Sequence, residues 1–238
     1  MRKLVYSQTG TPGDPSMHGW DLAPKDAVEL QKRLAQNLRL QDEFINISSV
    51  AGVDVSFNPY DPQKLVHAVV VVLEYPTLQV LEKQSVTRQV DFPYVPGLLS
   101  FREAPPVLAA IEQLAVKPDL LIVDGQGYAH PRRLGIASHL GLFLDIPTIG
   151  CAKSILVGAP AGPLAEEAGA CTDLVWKQEV VGRVVRTRTR VRPVYVSAGH
   201  KISLESAVDW VLKCSRGYRL PEPTRMAHKF SNEVRKAE

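Results

Sequence analysis

Apolar residues recur at two different periods along the chain, and the change between these periods predicts the order of secondary structure. Leu30, Leu34 and Leu38 stand at helical spacing, which predicts an amphipathic helix over residues 28–40. Three β-strands are predicted after it: Val50–Phe57, Leu65–Glu74 and Leu78–Val90. Because only the turn Tyr-Pro-Thr separates the last two strands, this part of the chain is expected to form an antiparallel meander.

The second half of the chain alternates between helix and strand patterns. Leu98–Leu114 reads as a helix that Pro105 and Pro106 should kink or restart. The all-apolar run LLIV before Asp124, which predicts a strand buried on both faces, is followed by a helix and the strand-like PTIGCAK. This alternation is typical of parallel βαβ units. The remaining elements predicted are the helix at Leu134–Leu144, strands around Val180–Val191 and Pro193–Ser197, and a helix at Leu204–Lys213.

These patterns predict an α/β protein with a mixed central sheet, flanking helices and a single domain over residues 21–238. Residues 1–20 are rich in glycine and proline and lack periodicity, which predicts a loosely held N-terminal extension. With 45% hydrophobic and 22% charged residues in 238, the composition excludes a disordered or fibrous chain. No signal peptide or membrane-spanning run is present in the sequence, so a cytoplasmic protein is expected. The three cysteines form no CxxC pair and are expected to be buried free thiols.

The charge distribution permits nucleic-acid binding without requiring it. The formal net charge is +3 and the isoelectric point is about 8.7, both only mildly basic. Four arginines alternate with other residues and would form one row if the segment were a strand: Arg186, Arg188, Arg190 and Arg192. Such a row could contact phosphates or could simply be a solvated face of the sheet, and the sequence leaves both alternatives open.

Three acidic residues stand where carboxylates are unusual. Asp54 lies in the middle of an apolar strand, on the face that it shares with Gly52 and Ser56. Asp124 ends a buried strand, at the position where open α/β sheets place ligands. Alone, either aspartate could cap a turn; together with Glu103 they could converge at the sheet edge. Because clustered carboxylates repel one another unless a cation neutralises them, the set points to Mg²⁺ or Mn²⁺.

The order of these acids resembles that of ribonuclease H-like nucleases, and a set of motifs makes the likeness more specific. The chain resembles the endonuclease V family from about residue 25 to about residue 230. The motifs are VDVS at Asp54, PYVPG at Tyr94, SFRE at Glu103, VDGQGYAHPRRLGIASHLG from Val123, IGCAKS at Lys153, AGHKIS at His200 and GYRLPEPTR near the end. Each fragment alone is weak, whereas their order and spacing together are specific.

The resemblance implies a role for each matching position. Catalytic residues would be Asp54, Glu103, Asp124, Lys153 and His228, of which the three acids would bind metal. Tyr94 would be a wedge that fills the gap left by an extracted base, and Pro93, Val95 and Pro96 would shape and stiffen it. Gly125 and Gly127 would approach that base, while His130, His139 and Lys153 would lie near the substrate backbone. A simple loop anchor is the alternative for Tyr94.

The function implied by the resemblance is repair of DNA that contains deoxyinosine. A Mg²⁺-dependent monomer, with Mn²⁺ as a possible substitute, would hydrolyse the second phosphodiester bond 3′ to the lesion and leave 3′-hydroxyl and 5′-phosphate ends. One alternative is a ribonuclease for inosine-containing RNA. Another is a non-catalytic inosine-binding module, which the complete acidic set disfavours.

A few positions depart from the family pattern or match nothing in it. Gln126 stands where histidine or asparagine is common in the family, and Val95 replaces a common isoleucine. His18 and His67 have no counterpart and are expected to be an ordinary surface residue and an ordinary strand residue. His200 is expected to have a structural role.

Overall fold

The computed structural model describes residues 18–58 and 60–237, and its nine strands form one sheet. The helices are α1 (Pro24–Leu34), α2 (Leu99–Glu112), α3 (Ile136–Leu144), α4 (Leu204–Lys213) and α5 (Glu222–Ala237). The strands are β1 (Ser49–Phe57), β2 (Leu65–Glu74), β3 (Val80–Gln89), β4 (Leu120–Val123), β5 (Thr148–Ala152), β6 (Ala159–Pro160), β7 (Cys171–Trp176), β8 (Glu179–Val185) and β9 (Val194–His200). A 3₁₀ turn, Ala35–Asn37, follows α1.

The strand order is β3-β2-β1-β4-β5-β9-β8-β7-β6. The pairs β1–β2 and β2–β3 are antiparallel, as the meander prediction requires. The pairs β1–β4 and β4–β5 are parallel, whereas β9 returns antiparallel to β5. The predicted mixed sheet of a single ribonuclease H-like domain is therefore confirmed.

Helices cover both faces of the central strands. Residues Ala51 and Val53 of β1 belong to a core cluster with α2 and α3, whereas Val50 belongs to a second cluster with α4 and α5. This division follows from the two-residue period of a strand, which turns successive side chains to opposite faces. All four residues of β4 are buried, as its continuous apolar run predicts.

Several predicted elements differ from the observed ones. Helix α2 continues through Pro105 and Pro106 as one helix, so the predicted restart is wrong. Strands β6 and β7 were not predicted, because their short segments lack a clear apolar alternation. Strand β8 ends at Val185, and Arg190 has a left-handed φ of 58° in the turn that follows. The arginine row of a single strand face therefore does not exist.

The arginines of this turn have separate environments instead. The Arg186 guanidinium donates hydrogen bonds to the carbonyl oxygens of Ala165 (2.6 Å) and Val191 (2.5 Å), so it holds the loop together. Arg190 pairs with Glu166 at 3.0 Å, while Arg188 and Arg192 are exposed. Backbone curvature at a left-handed residue overrides an alternation that would suit a strand.

The first described residues are packed rather than loose. Residues 1–17 lie outside the described residues, but His18 is only 7% exposed and the Trp20 ring stacks on Phe143 at 4.9 Å between centroids. The prediction of a surface position for His18 is wrong, because this histidine fills an aromatic cluster against α2 and α3. His67 lies in β2 as expected.

The cysteine prediction holds for two of the three residues. Cys151 and Cys214 are buried free thiols, whereas Cys171 is exposed because it begins β7 near the edge of the sheet. Among the helices of residues 18–58 and 60–237, none combines the length and apolar character that a membrane crossing requires.

Candidate active site

Asp54 is held at the centre of the sheet by the packing of α5. The side chain at position 52 would point at α5, and a Cβ there would lie 1.9 Å from the carbonyl oxygen of Pro223. Only glycine therefore lets α5 approach β1 so closely. Two residues beyond Asp54, on the same face of β1, the hydroxyl oxygens of Ser56 and Ser231 are 3.2 Å apart. Asp54 lies between these two contacts and is 7% exposed.

Asp124 reaches the same place from the neighbouring strand. It follows β4 directly, and its backbone N–H donates to the carbonyl oxygen of Val53 at 3.1 Å. His228 comes from α5, with its Nδ1 3.5 Å from Oδ1 of Asp54. One ligand atom each from Asp54, Asp124 and His228 lies within 4.8 Å of the other two. Two adjacent strands and one helix thus build a group of two carboxylates and one imidazole.

Glu103 interacts electrostatically with Asp54 and Asp124, but it is not one of the three residues of this group. Burial raises the pKa of Glu103 to about 8, and the negative charges of Asp54 and Asp124 add to the rise, while Arg102 opposes it. Burial also raises the pKa of Asp124, against the opposing effect of Lys153. Burial is thus the main reason that both carboxyls hold their protons more tightly than usual, and the neighbouring negative charges add to this effect.

Lys153 stands at the edge of the acidic group. Its ammonium forms an ion pair with Oδ2 of Asp124 and is partly exposed. The backbone at this position is fixed from outside, because Arg219 donates to the carbonyl oxygen of Lys153 at 2.7 Å. The lysine can thus neutralise Asp124 and still present positive charge to solvent.

A pocket of about 420 Å³ opens beside the acids. Its walls include seven of the residues that the sequence predicted for the site: Tyr94, Pro96, Glu103, Asp124, Gly125, His130 and Lys153. Leu134, Ile136 and Leu156 supply apolar surface between them. A mixed pocket that ends at a cluster of carboxylates can hold a planar, partly polar group next to a phosphodiester.

The loop before α2 presents Tyr94 at the rim of this pocket. The tyrosine is 56% exposed, and its ring lies 5.7 Å from the ring of Phe57. After it, the Leu98 N–H donates to the carbonyl oxygen of Val95 at 2.9 Å, and Gly97 has a φ of 79°. Proline at position two and a left-handed glycine at position three are the features of a type II turn. The turn Val95–Leu98, which directly follows Tyr94, therefore stiffens the backbone that carries the aromatic ring. We call residues 94–98 the Tyr94 turn.

Comparisons with known proteins agree with this geometry. Residues 32–229 match the family model described as Endonuclease V. The chain belongs to the endonuclease V family. A curated endonuclease V from Gloeobacter violaceus is 67% identical over 230 residues, which cover 95% of this chain and 94% of the relative.

Solved structures of the family superpose closely on this chain. Endonuclease V from Streptomyces avermitilis has a TM-score of 0.86 at 38% identity, covering 92% of this chain and 96% of the other. The enzyme from Ciona intestinalis has a TM-score of 0.77 at 30% identity, covering 90% and 98%. That structure is a complex with a 24mer DNA containing an inosine followed by a ribo-adenosine.

Two residues expected near the substrate from the endonuclease V resemblance lie elsewhere. His139 is completely buried. Its Nδ1 lies 3.0 Å from the Ser100 hydroxyl oxygen, and its Nε2 lies 2.8 Å from Nε2 of His18. It is therefore not a direct contact of a phosphate backbone. Gly127 is buried against β9, where a Cβ would lie 2.3 Å from the Ala198 carbonyl oxygen. Its lack of a side chain allows this close packing against β9.

The remaining residues that the sequence predicted for the site lie near the turn or in the core. Pro93 and Pro96 are exposed on either side of Tyr94, and Val95 packs against the cluster of α1 and α2. His200 is fully buried, with Nε2 3.4 Å from Asp145, in agreement with a structural role. Gln126 lines the pocket and donates to the carbonyl oxygen of Ser154 at 2.9 Å.

Sequence reasoning missed the residues that hold the Tyr94 turn from behind. Gln31 on α1 is fully buried and donates to the carbonyl oxygen of Gly97 at 3.1 Å, and Arg132 donates to the same oxygen at 2.6 Å. Arg132 stands inside the motif VDGQGYAHPRRLGIASHLG, so the motif was a signal for it. Gln31 carried only one signal, because it is a polar residue next to Leu30 on the apolar side of a helix.

Proposed function

We propose that this chain is a metal-dependent endodeoxyribonuclease that recognises deoxyinosine in DNA. It hydrolyses the second phosphodiester bond 3′ to the lesion and leaves 3′-hydroxyl and 5′-phosphate ends. The observation that supports this most strongly is the juxtaposition of the group Asp54, Asp124 and His228 with a pocket whose rim carries Tyr94. Since one chain supplies all of these residues, we propose that the monomer is active.

The residues of the acidic group suit a hard divalent cation. Asp54 and Asp124 offer carboxylate oxygens and His228 offers an imidazole nitrogen, all within 4.8 Å. The charges of Asp54 and Asp124 add to the rise in the pKa of Glu103 that burial causes, and a bound cation would oppose their contribution. Asp54 and Asp124 would hold Mg²⁺, or Mn²⁺ in its place, with Glu103 as the third acid. When bound, the cation supplies activation of water and neutralisation of charge on the leaving 3′-oxygen.

Lys153 and His228 carry out complementary tasks on either side of the acids. Lys153 is partly exposed and can keep its ion pair with Asp124 while it approaches a phosphate oxygen. The His228 side chain is 49% exposed, so it can face the phosphate as well as Asp54. Both residues would offset charge on the phosphate or its leaving group.

The pocket and the Tyr94 turn account for lesion recognition. The related Ciona enzyme binds DNA that contains an inosine, and we propose that the inosine base of the substrate enters the pocket here. The Tyr94 ring, exposed at the rim, would then occupy the vacated position in the base stack. His130 and Gly125 form part of the pocket wall and would lie beside the extracted base or its backbone.

Inosine-containing RNA is the second candidate substrate. The DNA bound by the Ciona relative carries a ribo-adenosine after the inosine, so a family member accommodates a 2′-hydroxyl at that place. A contact to that hydroxyl by this chain would favour RNA over DNA.

Cleavage of matched DNA and RNA strands, each with one inosine, tests the proposal. We expect Mg²⁺-dependent cutting of the DNA at the second linkage 3′ to inosine, with product ends read by sequencing and phosphatase sensitivity. A strand with adenosine in place of inosine and the Asp124→Asn variant are the controls. Preferential cutting of RNA would select the second candidate, and inosine-specific binding with no cutting of either strand would indicate a non-catalytic module.

A further inference from the structure

The carbonyl oxygen of Gly97 is the point at which the Tyr94 turn is attached to the rest of the protein. Three side chains donate to this single oxygen: Gln31 Nε2 at 3.1 Å, His130 Nε2 at 3.0 Å and Arg132 Nη2 at 2.6 Å. A carbonyl oxygen has two lone pairs, so three donors saturate it. The donors come from α1 and from the loop between β4 and α3.

The donors are themselves fixed by hydrogen bonds to one another. Oε1 of Gln31 accepts from Nε of Arg132 at 2.5 Å, and its Nε2 also donates to the carbonyl oxygen of Leu134 at 3.1 Å. Nδ1 of His130 accepts from the Arg132 backbone N–H at 3.2 Å, which assigns the ring proton to Nε2. Both polar atoms of the Gln31 amide thus have hydrogen-bond partners, and Gln31 is fully buried.

The turn is also held by apolar packing, because Val95 and the buried Leu98 contact the cluster of α1 and α2. Tyr94 is exposed and contacts the ring of Phe57. Gly97 combines a left-handed φ of 79° with a Cβ direction that points at Nη2 of Arg132, 2.8 Å away. The left-handed backbone favours glycine, whereas the Arg132 guanidinium is the end of a flexible side chain that can move aside.

We propose that Gln31 and Arg132 are positioning residues that hold Tyr94 in place for base extraction through the carbonyl oxygen of Gly97. This inference rests on the proposed function of Tyr94. Neither residue needs to touch the substrate. Helix α1 thereby contributes to lesion discrimination, although it carries none of the acidic residues of the site. A wedge can offset the cost of base extraction only if its own ordering has already occurred.

A double-mutant cycle between Gln31 and Tyr94 tests the inference. The variants are Gln31→Met, which keeps the length and removes the amide, Tyr94→Ala, and the two combined. The measured quantity is the ratio of the Kd for an adenine duplex to the Kd for a matched deoxyinosine duplex, without divalent cation to prevent cleavage. Glu29→Gln, on the exposed side of the same helix, is the matched control.

We expect Gln31→Met to lower this ratio about tenfold, because all three hydrogen bonds of the Gln31 amide are lost. The double variant should have the same ratio as Tyr94→Ala alone, because Gln31 would act only through the Tyr94 wedge, which is already absent. A merely structural role for Gln31 would lower the affinity for both duplexes equally and leave the ratio unchanged. Glu29→Gln should keep the full ratio.

The other outcomes separate this inference from the function on which it rests. An unchanged ratio in Tyr94→Ala would refute the wedge itself. A lowered ratio in Tyr94→Ala, with no loss in Gln31→Met or with losses that add in the double variant, would overturn only the role of Gln31. If Gln31→Met does not fold, Arg132→Lys takes its place in the same cycle, because it keeps the charge and removes the bond to Gln31.

Discussion

The acidic group and the Tyr94 turn border the same pocket but are held in position by different forces. Asp54 and Asp124 are placed by the register of two adjacent parallel strands and by the close packing of α5 on Gly52. Tyr94 is placed by side-chain hydrogen bonds to the carbonyl oxygen of Gly97 and by the packing of its neighbours Val95 and Leu98. The first arrangement is built from backbone hydrogen bonds between strands and from helix packing, whereas the second adds side-chain hydrogen bonds to a loop.

This difference indicates how each part should respond to change. A group fixed by strand register moves only if the sheet or α5 moves, so its geometry depends on global stability. A turn fixed by a few side-chain donors can be released while the domain remains folded. Loss of chemistry and loss of lesion discrimination should therefore be separable by mutation.

The largest effect is expected from Asp124→Asn, which removes chemistry and leaves the turn intact. The amide keeps the shape of the side chain but not the charge that a cation needs, so cleavage should fall by about a hundredfold or more. Binding of deoxyinosine DNA should be largely spared, since the neutral side chain also relieves repulsion from Asp54. Single-turnover cleavage in Mg²⁺ measures the loss of chemistry, and titration with deoxyinosine DNA without divalent cation measures the binding. Residual cleavage within tenfold of the unaltered protein would contradict the metal-site proposal.

The next largest effects are expected from alanine substitutions at two glycines. Gly52 packs against α5 beside the acidic group, and Gly97 lies in the Tyr94 turn. In Gly52→Ala the new Cβ meets backbone of α5 at 1.9 Å, which should destabilise the fold by roughly 1 to 3 kcal/mol or more and displace His228. In Gly97→Ala the Cβ meets only the end of the flexible Arg132 side chain, and the left-handed φ costs about 1 to 2 kcal/mol.

Thermal unfolding and the ratio of affinities for adenine and deoxyinosine duplexes distinguish the two variants. Gly52→Ala should have the lower Tm, whereas Gly97→Ala should lose more discrimination. The opposite order would show that the Tyr94 turn, and not the contact of α5 with β1, is the more rigidly built region.

Tyr94→Ala tests the wedge directly. Loss of one base-aromatic stack should weaken deoxyinosine binding by roughly 1 to 3 kcal/mol and leave ordinary duplex nearly unaffected, since phosphate contacts remain. Tyr94→Phe keeps the ring and should be close to neutral. Titration of both duplexes with each variant gives the comparison, and equal losses on the two duplexes would favour a loop anchor.

The smallest expected effect is on the pH dependence of stability at His130. Burial, with the charge of Arg132, lowers the pKa of His130 to about 4 from 6.5, so the unfolded chain binds this proton first as the pH falls. The stability contributed by neutral His130 is present above about pH 6.5 and is lost progressively as the pH falls towards 4.

His130→Gln is the matched variant for this measurement, because its amide can still donate to Gly97 and does not titrate. Denaturant unfolding at several pH values between 4 and 7 should show a shallower loss of stability in the variant. Identical slopes for the two proteins would mean that His130 is not held neutral against the turn.

Much of the fold followed from periodicity. The alternation in β1 predicted that Asp54 shares a face with Gly52 and Ser56, and both neighbours contact α5 in the structure. The arginine alternation after β8 failed by the same reasoning, since spacing alone does not reveal a left-handed residue such as Arg190. The motif match placed His139 near the substrate backbone, but a motif does not report burial, and this side chain is completely buried in the structure.

The sequence by itself determined the order of elements from α1 to β5, the face of Asp54 and the family, because these depend on local spacing and on ordered motifs. Only the tertiary structure decided which distant groups meet: His228 with Asp54, His18 with His139, and Gln31 with Gly97. The physical reason is that periodicity states which side of an element a residue occupies, whereas the partner on that side depends on how elements pack. Hydrogen bonds between loops and a helix leave no period in the sequence, so the attachment of the Tyr94 turn becomes visible only in the folded chain.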